Sequence, residues 1–289
     1  MKHPKEMHAL YIDDLTEAVA VNLKKQIISD PVQRPFPLNY HERTQHILPE
    51  GNILQKNLDK IEKFTKNNQM QINESKSKVM IFNKARKYDF PPEFSFQNGD
   101  ILEYMEVTKL LGIFLSSDLR WQSNCRAIYL KAMGKMWLLR RLKLIKLDSN
   151  FILDYYLKEI RPLAEQGVAI WNSGLTKAQA RDLEKIQKVA FKIILDESYT
   201  SYDVACTLLS ISPLEYRRID LCTNFAIKLF KSSRGTDFFT PAVKLVNTRS
   251  TKQMLVTENK TRTRRCYNAP HNYLARLVNQ NKHIIEKKK

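Results

Sequence analysis

The stretch "HALYIDDLTEAVA", residues 8–20, contains two adjacent aspartates, Asp13 and Asp14, inside an otherwise largely apolar run. Two ionised carboxylates side by side repel each other, and a half-buried strand gains nothing from them. A divalent cation held by both side chains removes this repulsion, because carboxylate oxygens are ligands that Mg²⁺ prefers. The pair is therefore a candidate metal-binding and catalytic site, and an ordinary Asx turn is the alternative.

The apolar residues on either side of this pair predict two short strands, 8–12 and 15–21, which place both carboxylates at a hairpin tip. The proline-containing residues 28–50 are predicted to form a loop. Apolar spacing farther along predicts a helix over 52–68, a strand over 77–82, a hairpin over 94–104 with a type I′ turn at Asn98-Gly99, and a strand over 107–115.

From Trp121 onward the apolar spacing changes to that of helices. One stripe consists of Ile128, Ala132, Met136, Leu139 and Leu142, and a second consists of Leu183, Ile186, Ala190 and Ile193. Helices are also predicted over 152–172, 200–209 and 213–232. Since the 289 residues include only 7 glycines, few tight turns are expected. The predicted fold class is α+β, with a small antiparallel β region followed by a mostly helical region.

The charge of the chain predicts a polyanionic partner. It has 48 lysines and arginines against 30 acidic residues, a formal net charge of +18, and neutralised phosphates release counterions on binding. The last 44 residues hold 11 of the cations against 2 acids. A merely solvated charged surface is the alternative. Another seven cations lie between residues 126 and 146 without any acid: Arg126, Lys131, Lys135, Arg140, Arg141, Lys143 and Lys146.

Several classes of protein are disfavoured by the sequence. The 4 cysteines lie far apart without a CxxC pair, so neither a zinc site nor a disulfide framework is predicted. No run reaches the roughly 18 apolar residues of a membrane span, and the first residues lack the apolar segment of a signal peptide. We therefore expect an intracellular protein, cytoplasmic or nuclear, with no membrane among its partners.

Several segments, taken in order, resemble the reverse transcriptases of jockey-like non-LTR retrotransposons. "YIDD" resembles the metal-binding motif of the palm, and "INESKSKVMIF" (72–82) resembles the next palm motif, with Asn73, Lys76 and Ser77 matching. "KLLGIFLSSDLRW" (109–121) resembles the primer-grip hairpin, and "KAMGKMWLLRRLK" (131–143) the first thumb helix. "VAIWNSGLT", "LEKIQKVAFKII", "SYDVACTLL", "LEYRRIDLCTNFAIKLF" and "TRTRRCYNAPHNYLARLVN" resemble the helical region that follows the thumb.

The resemblance implies a partial palm over 1–118, a helical thumb and connection over 119–240, and a basic tail over 241–289. It places Asp13 and Asp14 at the catalytic carboxylates, where they would bind Mg²⁺. RNA or DNA, as a template–primer hybrid, is the implied partner. Together with the charge pattern, the resemblance predicts these nucleic-acid-binding residues: Lys76, Lys109, Gly112, Lys131, Lys135, Arg140, Arg141, Arg262, Arg264 and Arg265.

One part of the polymerase site has no counterpart among these residues. Polymerases that use two metal ions take a third carboxylate from an earlier palm strand, and Glu6 is the only acid before Tyr11. The expectation is an incomplete Mg²⁺ site and a truncated RNA-directed DNA polymerase that is inactive alone. The alternatives are a non-catalytic RNA- or DNA-binding protein derived from a retroelement, and an enzyme whose missing polymerase half is a separate chain or part of a longer gene product.

Overall fold

The computed structural model describes residues 7–10, 15–18, 51–82, 93–242 and 254–286. The chain divides into two compact units, Met1–Glu106 and Val107–Lys289. Within the described residues most of the chain is helical, and the strands pair into three two-stranded sheets. These proportions confirm the predicted α+β class.

The first unit begins with an antiparallel strand pair. β1 (Met7–Leu10) pairs with β2 (Leu15–Ala18), and Leu10 stands opposite Leu15. This pairing confirms the predicted hairpin. Residues 11–14, which include Asp13 and Asp14, lie outside the described residues, as does the predicted loop 28–50.

A helix and a second strand pair follow in the described residues of the first unit. Helix α1 (Gly51–Asn67) matches the predicted helix, and it packs Leu54 and Leu58 against the small core of Val79, Phe94, Phe96 and Leu102. β3 (Lys78–Val79) and β4 (Glu103–Tyr104) are parallel, so the prediction of a wholly antiparallel β region was wrong. More than twenty residues separate the two strands, a connection long enough to return the chain in the same direction.

The predicted hairpin at 94–104 is present, but its turn is of another type. Phe96 N donates to Asp100 O at 2.9 Å, and Gly99 N donates to Phe96 O at 2.9 Å. Only Gly99 of the turn has a positive φ, +93°, whereas a type I′ turn requires positive φ at two consecutive residues. The connection is therefore a three-residue loop in which glycine occupies the left-handed position.

The second unit begins with a hairpin where a single strand was predicted. β5 (Val107–Leu110) pairs with β6 (Ile113–Ser116) in antiparallel register. The chain reverses at Leu111 and Gly112, whose φ values are +48° and +84°. Leucine rarely adopts a positive φ, so the residues themselves indicate this turn only through the single glycine, although the resemblance of 109–121 to a primer-grip segment implied a hairpin.

Helices account for most of the described residues that follow in the second unit, up to 242 and from 254 to 286. They are α2 (Gln122–Leu144), α3 (Ser149–Tyr155), α4 (Val168–Trp171), α5 (Lys177–Leu195), α6 (Tyr202–Leu208), α7 (Leu214–Lys231), α8 (Gly235–Phe238), α9 (Arg264–Tyr267), α10 (Pro270–Gln280) and α11 (Lys282–Glu286). Between α3 and α4 the chain forms a π turn and a 3₁₀ turn, which breaks the helix predicted over 152–172. Pro162 in the 3₁₀ turn and Gly167, with φ of +62°, account for the break.

The main core lies where α2 packs on α5. Ala132, Met136 and Leu139 are fully buried on α2, and the partly buried Ile128 and Leu142 complete the predicted stripe. On α5 the predicted stripe is likewise buried, with Ile193 in part. A capping box at Thr176 and Gln179 fixes the start of α5 by satisfying two backbone N–H groups.

The basic region at 241–289 contributes to the same core. On α10, Leu274, Leu277 and Val278 are buried, and this helix packs against α7. The described part of this region, 254–286, is therefore an integral part of the helical unit and also carries surface charge.

Candidate nucleic-acid interface

The outward face of α2 is the most distinctive surface of the second unit. Arg126, Leu130, Gly134, Trp137, Arg141 and Leu144 follow one another at helical spacing, and all six are exposed. Trp137 is 60% exposed, Leu130 58% and Leu144 72%. Several exposed apolar residues interleaved with cations along one helix face are typical of a binding surface, whereas single exposed apolar residues are common everywhere. We call these six residues the outer stripe of α2.

The predicted cations on α2 differ in whether they already have a partner within the chain. Lys131, Arg140 and Arg141 are exposed, and the Arg141 guanidinium lies 5.3 Å from the centre of the Trp137 ring. Lys135 instead bonds to Glu159, with Nζ at 2.6 Å from Oε2 and 3.1 Å from the backbone oxygen. The charge of Lys135 is therefore already compensated within the chain.

Lys143, another cation of the same run, has a structural role. Its Nζ donates to Ile194 O at 2.8 Å, near the end of α5. A cation at the C-terminal end of a helix satisfies an otherwise unpaired carbonyl and interacts favourably with the helix dipole. The acid-free run thus supplies both exposed cations and cations used for packing.

Gly134 occupies the middle of the outer stripe. A Cβ atom built at this position would meet nothing within 4 Å, so packing inside the chain does not require glycine. In a helix interior glycine is about 1 kcal/mol less favourable than alanine. The stripe therefore contains a notch that folding does not explain.

The β5–β6 hairpin is fixed to the start of α2 and to the helical core. Asn124 Oδ1 accepts a hydrogen bond from Phe114 N at 3.1 Å. The φ of Gly112, +84°, favours glycine there, whereas the Gln166 Nε2 that a Cβ would approach to 2.4 Å belongs to the end of a flexible side chain that can move away. Lys109 is exposed on β5 with its Nζ 5.9 Å from the Phe114 ring centre. The structure therefore explains Gly112 by its backbone conformation and leaves Lys109 on the surface.

The predicted C-terminal cations lie at the start of α9. Arg262, Arg264 and Arg265 are exposed, and Thr263 caps the helix by accepting a hydrogen bond from the Cys266 N–H at 3.2 Å. The positive charge of Arg265 lowers the pKa of Asp118, which precedes α2. Arg265 is therefore close enough to the connection between the β5–β6 hairpin and α2 for the two charges to interact.

Asp118 itself is held in its charged form. Partial burial raises the pKa of its carboxyl, but hydrogen bonds from Ser116 Oγ and Arg120 N and the charges of Arg120 and Arg265 outweigh burial and lower the pKa. Arg120 Nε lies 3.4 Å from Asp118 Oδ2. This carboxylate therefore partly neutralises the cations around it.

Tyr267 has a contact that limits its use for stacking. The Arg276 guanidinium lies 3.6 Å from the centre of the Tyr267 ring, and Arg276 Nη1 donates to Tyr267 O at 2.7 Å. Arg276 covers one face of the ring, so Tyr267 has a structural role in holding that arginine.

The structure describes some of the predicted palm residues and not others. Lys76 is exposed at the end of a 3₁₀ turn in the first unit, and Asn73 Oδ1 accepts from its N–H at 3.2 Å. Asn73 thus acts as a cap, which explains one matching residue of that motif structurally. Asp13 and Asp14 lie outside the described residues. Elsewhere in the described part of the chain, no group of three His, Cys, Asp or Glu side chains is placed to hold a metal ion.

Sequence reasoning missed the apolar half of the α2 surface. The buried stripe and the cations were both predicted, but Leu130, Trp137 and Leu144 fit neither set. Apolar residues that lie off the core stripe of a helix are the available signal, because a helix that only packs on a core has polar residues there.

No helix in the described ranges is both long enough and apolar enough to cross a membrane. Comparisons of the chain with protein-family models, with curated proteins and with solved structures found no match.

Proposed function

We propose that the chain is part of a reverse transcriptase of the non-LTR retrotransposon class and that it binds a template–primer hybrid through α2. The observation that carries the proposal is the outer stripe of α2 with its neighbouring cations, which lie in a stretch free of acids from residue 119 to 147. The resemblance of the ordered motifs supplies the family. The division of the chain into a partial palm, a helical thumb and a basic tail, which the resemblance implies, is part of this proposal.

The chemistry of the stripe favours nucleic acid as the partner. Phosphates attract Lys131, Arg140 and Arg141, while sugar and base faces offer apolar surface to Trp137 and Leu130. Gly134 lets the helix backbone approach a polymer closely, since no side chain stands between them. Cations, aromatic surface and a notch on one rigid helix suit a surface that follows a strand or a groove.

The first experiment measures binding. Fluorescence anisotropy of a labelled RNA–DNA hybrid, a DNA duplex and a single strand gives the affinity and its salt dependence for each ligand. We expect a steep fall of affinity with salt and little sequence preference, because charge supplies most of the binding free energy. An affinity that does not depend on salt would contradict the proposal.

A second measurement distinguishes the polymerase from a non-catalytic binding protein. Primer extension on an RNA template is expected to yield no product from these 289 residues alone, since the resemblance supplies only two of the three carboxylates that two-metal transfer needs. A residual Mg²⁺ site at Asp13 and Asp14 makes hybrid binding respond to Mg²⁺ beyond its ionic strength, and the double substitution by alanine abolishes that response. A response equal to that of a monovalent salt at matched ionic strength favours the non-catalytic alternative.

A further inference from the structure

A single Asn-Gly pair occurs in the sequence, and it lies at the tip of the hairpin at 94–104. Asn98 and Gly99 are both exposed, and a Cβ built on Gly99 would meet nothing within 4 Å. Because glycine has no side chain, the Asn98 side chain can approach the Gly99 nitrogen more closely than it could approach that of any other residue. The tip therefore places a side-chain amide beside an unhindered backbone nitrogen.

The Asn98 side chain is folded back over the peptide bond that joins it to Gly99. Its Oδ1 accepts a hydrogen bond from Asp100 N at 2.9 Å, and this contact two residues along the chain defines an Asx turn. The hydrogen bond keeps the side-chain carbonyl carbon, Cγ, on the side of the backbone toward residues 99 and 100. The electrophilic carbon and the Gly99 nitrogen are thus neighbours in the folded loop.

One backbone hydrogen bond controls the reactivity of this nitrogen. Gly99 N donates to Phe96 O at 2.9 Å, and the nitrogen becomes a nucleophile only after this bond opens and the proton is lost. Residues 97–100 are all exposed, and hydrogen bonds at an exposed loop tip open more readily than those of a packed core. Opening of the tip is therefore the step that limits attack in the folded protein.

The Asn98 amide also joins two carboxylates to each other. Its Nδ2 donates to Glu74 Oε1 at 2.7 Å and to Asp100 Oδ2 at 2.9 Å. The pKa of Glu74 is raised, chiefly by its hydrogen bond with Asp100, and the hydrogen bond from Asn98 acts in the opposite direction. A third acid, Glu62 of α1, accepts from Gln97 N at 3.0 Å. The amide is thus a shared donor in an otherwise acidic surrounding.

We propose that Asn98 is a site of deamidation and that its conversion releases the hairpin tip from the 3₁₀ turn at Glu74–Lys76. The deprotonated Gly99 nitrogen attacks Asn98 Cγ and forms a C–N bond that closes a succinimide ring. The Cγ–Nδ2 bond breaks, and the leaving nitrogen takes a proton from water and departs as ammonia. Water then opens the ring at either carbonyl, so the net reaction consumes one water, releases one ammonia and yields aspartate or isoaspartate.

The product changes both the hydrogen bonds and the charge of the tip. The two hydrogen bonds from Nδ2 to carboxylates are lost, and such charge-assisted bonds are stronger than neutral ones. A new carboxylate at this position repels Glu74 and Asp100. Isoaspartate also adds one carbon atom to the backbone and so alters the spacing of the loop. All three effects favour the open tip, and the reaction is not reversed by refolding.

Incubation of the full chain at 37 °C, followed by proteolysis and mass spectrometry, tests the reaction. Asn68 is the internal control, because it is also exposed in a turn but is followed by Gln69. We expect Asn98 to convert, with isoaspartate among the products, while Asn68 remains an amide. Conversion is expected to be faster at pH 9 than at pH 7, because more of the Gly99 nitrogen is deprotonated.

Two results would overturn the reaction. If Asn98 persists in the folded chain but converts in urea, the loop protects the amide. If aspartate forms without isoaspartate, direct hydrolysis has replaced the succinimide route.

The substitution Asn98→Asp tests the consequence, because it carries the charge of the product from the start. Hydrogen exchange at the Phe96 and Gly99 amides, each compared with the unfolded variant, is expected to be about tenfold faster than in the wild type. Adding Glu74→Gln removes one repelling acid and is expected to restore part of the protection. Asn68→Asp is the matched control and is expected to leave both amides unchanged.

Equal protection of these amides in the wild type and in Asn98→Asp contradicts the release of the tip. Because α2 belongs to the other unit, neither outcome depends on nucleic-acid binding.

Discussion

Removing the exposed cations of α2 tests the proposed nucleic-acid interface most directly. The variant Lys131→Gln, Arg140→Gln, Arg141→Gln keeps helix-forming side chains and removes three positive charges that are exposed in the structure. For duplex DNA, each phosphate neutralised contributes about 0.9 to the slope of log affinity against log salt. Three lost contacts therefore reduce the slope by about 2.7, and by about 2.1 for a single strand.

The same relation gives the loss of affinity at a chosen salt concentration. At 0.1 M salt, counterion release at each duplex contact contributes a factor of about 8 relative to 1 M, so losing three contacts weakens binding by about 10² to 10³. Fluorescence anisotropy titrations between 50 mM and 300 mM salt measure both the slope and the affinity. All sequences are expected to lose affinity equally, because phosphate contacts are not sequence-specific.

Two control variants make this result specific to α2. The matched triple variant Arg181→Gln, Lys188→Gln, Lys192→Gln removes three exposed cations of α5 and is expected to change the slope by less than about one unit. Lys135→Gln is expected to change it by less than about half a unit, because Glu159 already compensates that charge. Equal slopes for the wild type and the α2 variant, or an equal drop in the α5 control, would refute the reasoning.

Four further substitutions or reactions have expected outcomes that follow from burial and charge. Trp137→Ala is expected to weaken single-strand binding by about 1–3 kcal/mol in anisotropy titrations with little change in thermal midpoint, since the ring is mostly exposed. Gly134→Ala is expected to stabilise the protein by up to about 1 kcal/mol in urea unfolding. Burial raises the pKa of Cys125 and Cys222 to about 11, so both thiols are expected to resist iodoacetamide at pH 8 until the protein unfolds. Asp118→Asn is expected to lower stability at neutral pH, and this difference should vanish as the pH falls below about 4 through the lowered pKa of the folded state.

The sequence predicts the helical core well because that core depends on periodicity. The stripe of Ala132, Met136 and Leu139 and the stripe on α5 are buried as their spacing indicates. Local periodicity determines which face of a helix is apolar, and burial of that face needs no knowledge of the partner helix. The ends of α1, Gly51 and Asn67, also fall within one residue of the predicted range 52–68.

The turns were predicted less well, because they depend on contacts that a sequence does not reveal. Leu111 adopts a positive φ at the β5–β6 tip, where Gln166 packs beside Gly112. Tertiary packing of the hairpin on the helical unit thus overrides the preference of leucine. At 96–100 the turn residues Asn98 and Gly99 were identified correctly, yet the loop length was not, because both turn types favour glycine.

The state of each cation could not be predicted either. Lys131 and Lys135 are one helical turn apart and look equivalent in the sequence, but Glu159 on the π turn after α3 reaches only Lys135. Arg218 shows the opposite case, a cation predicted for no role that the fold buries beside a cavity. Charge counts in a sequence therefore overestimate the charge that a surface offers to a polyanion.

The outer stripe of α2 separates the requirements of folding from those of binding. The buried face of this helix already supplies its packing against α5, so Leu130, Trp137 and Leu144 add little to the stability of the isolated chain. Gly134 lowers helix stability, because glycine has greater backbone freedom in the unfolded chain than alanine. A helix selected for folding alone would have alanine and polar residues at these four positions. Their presence beside Arg126 and Arg141 is explained if a partner covers this face, and the acid-free run from 119 to 147 makes a polyanion the partner that fits.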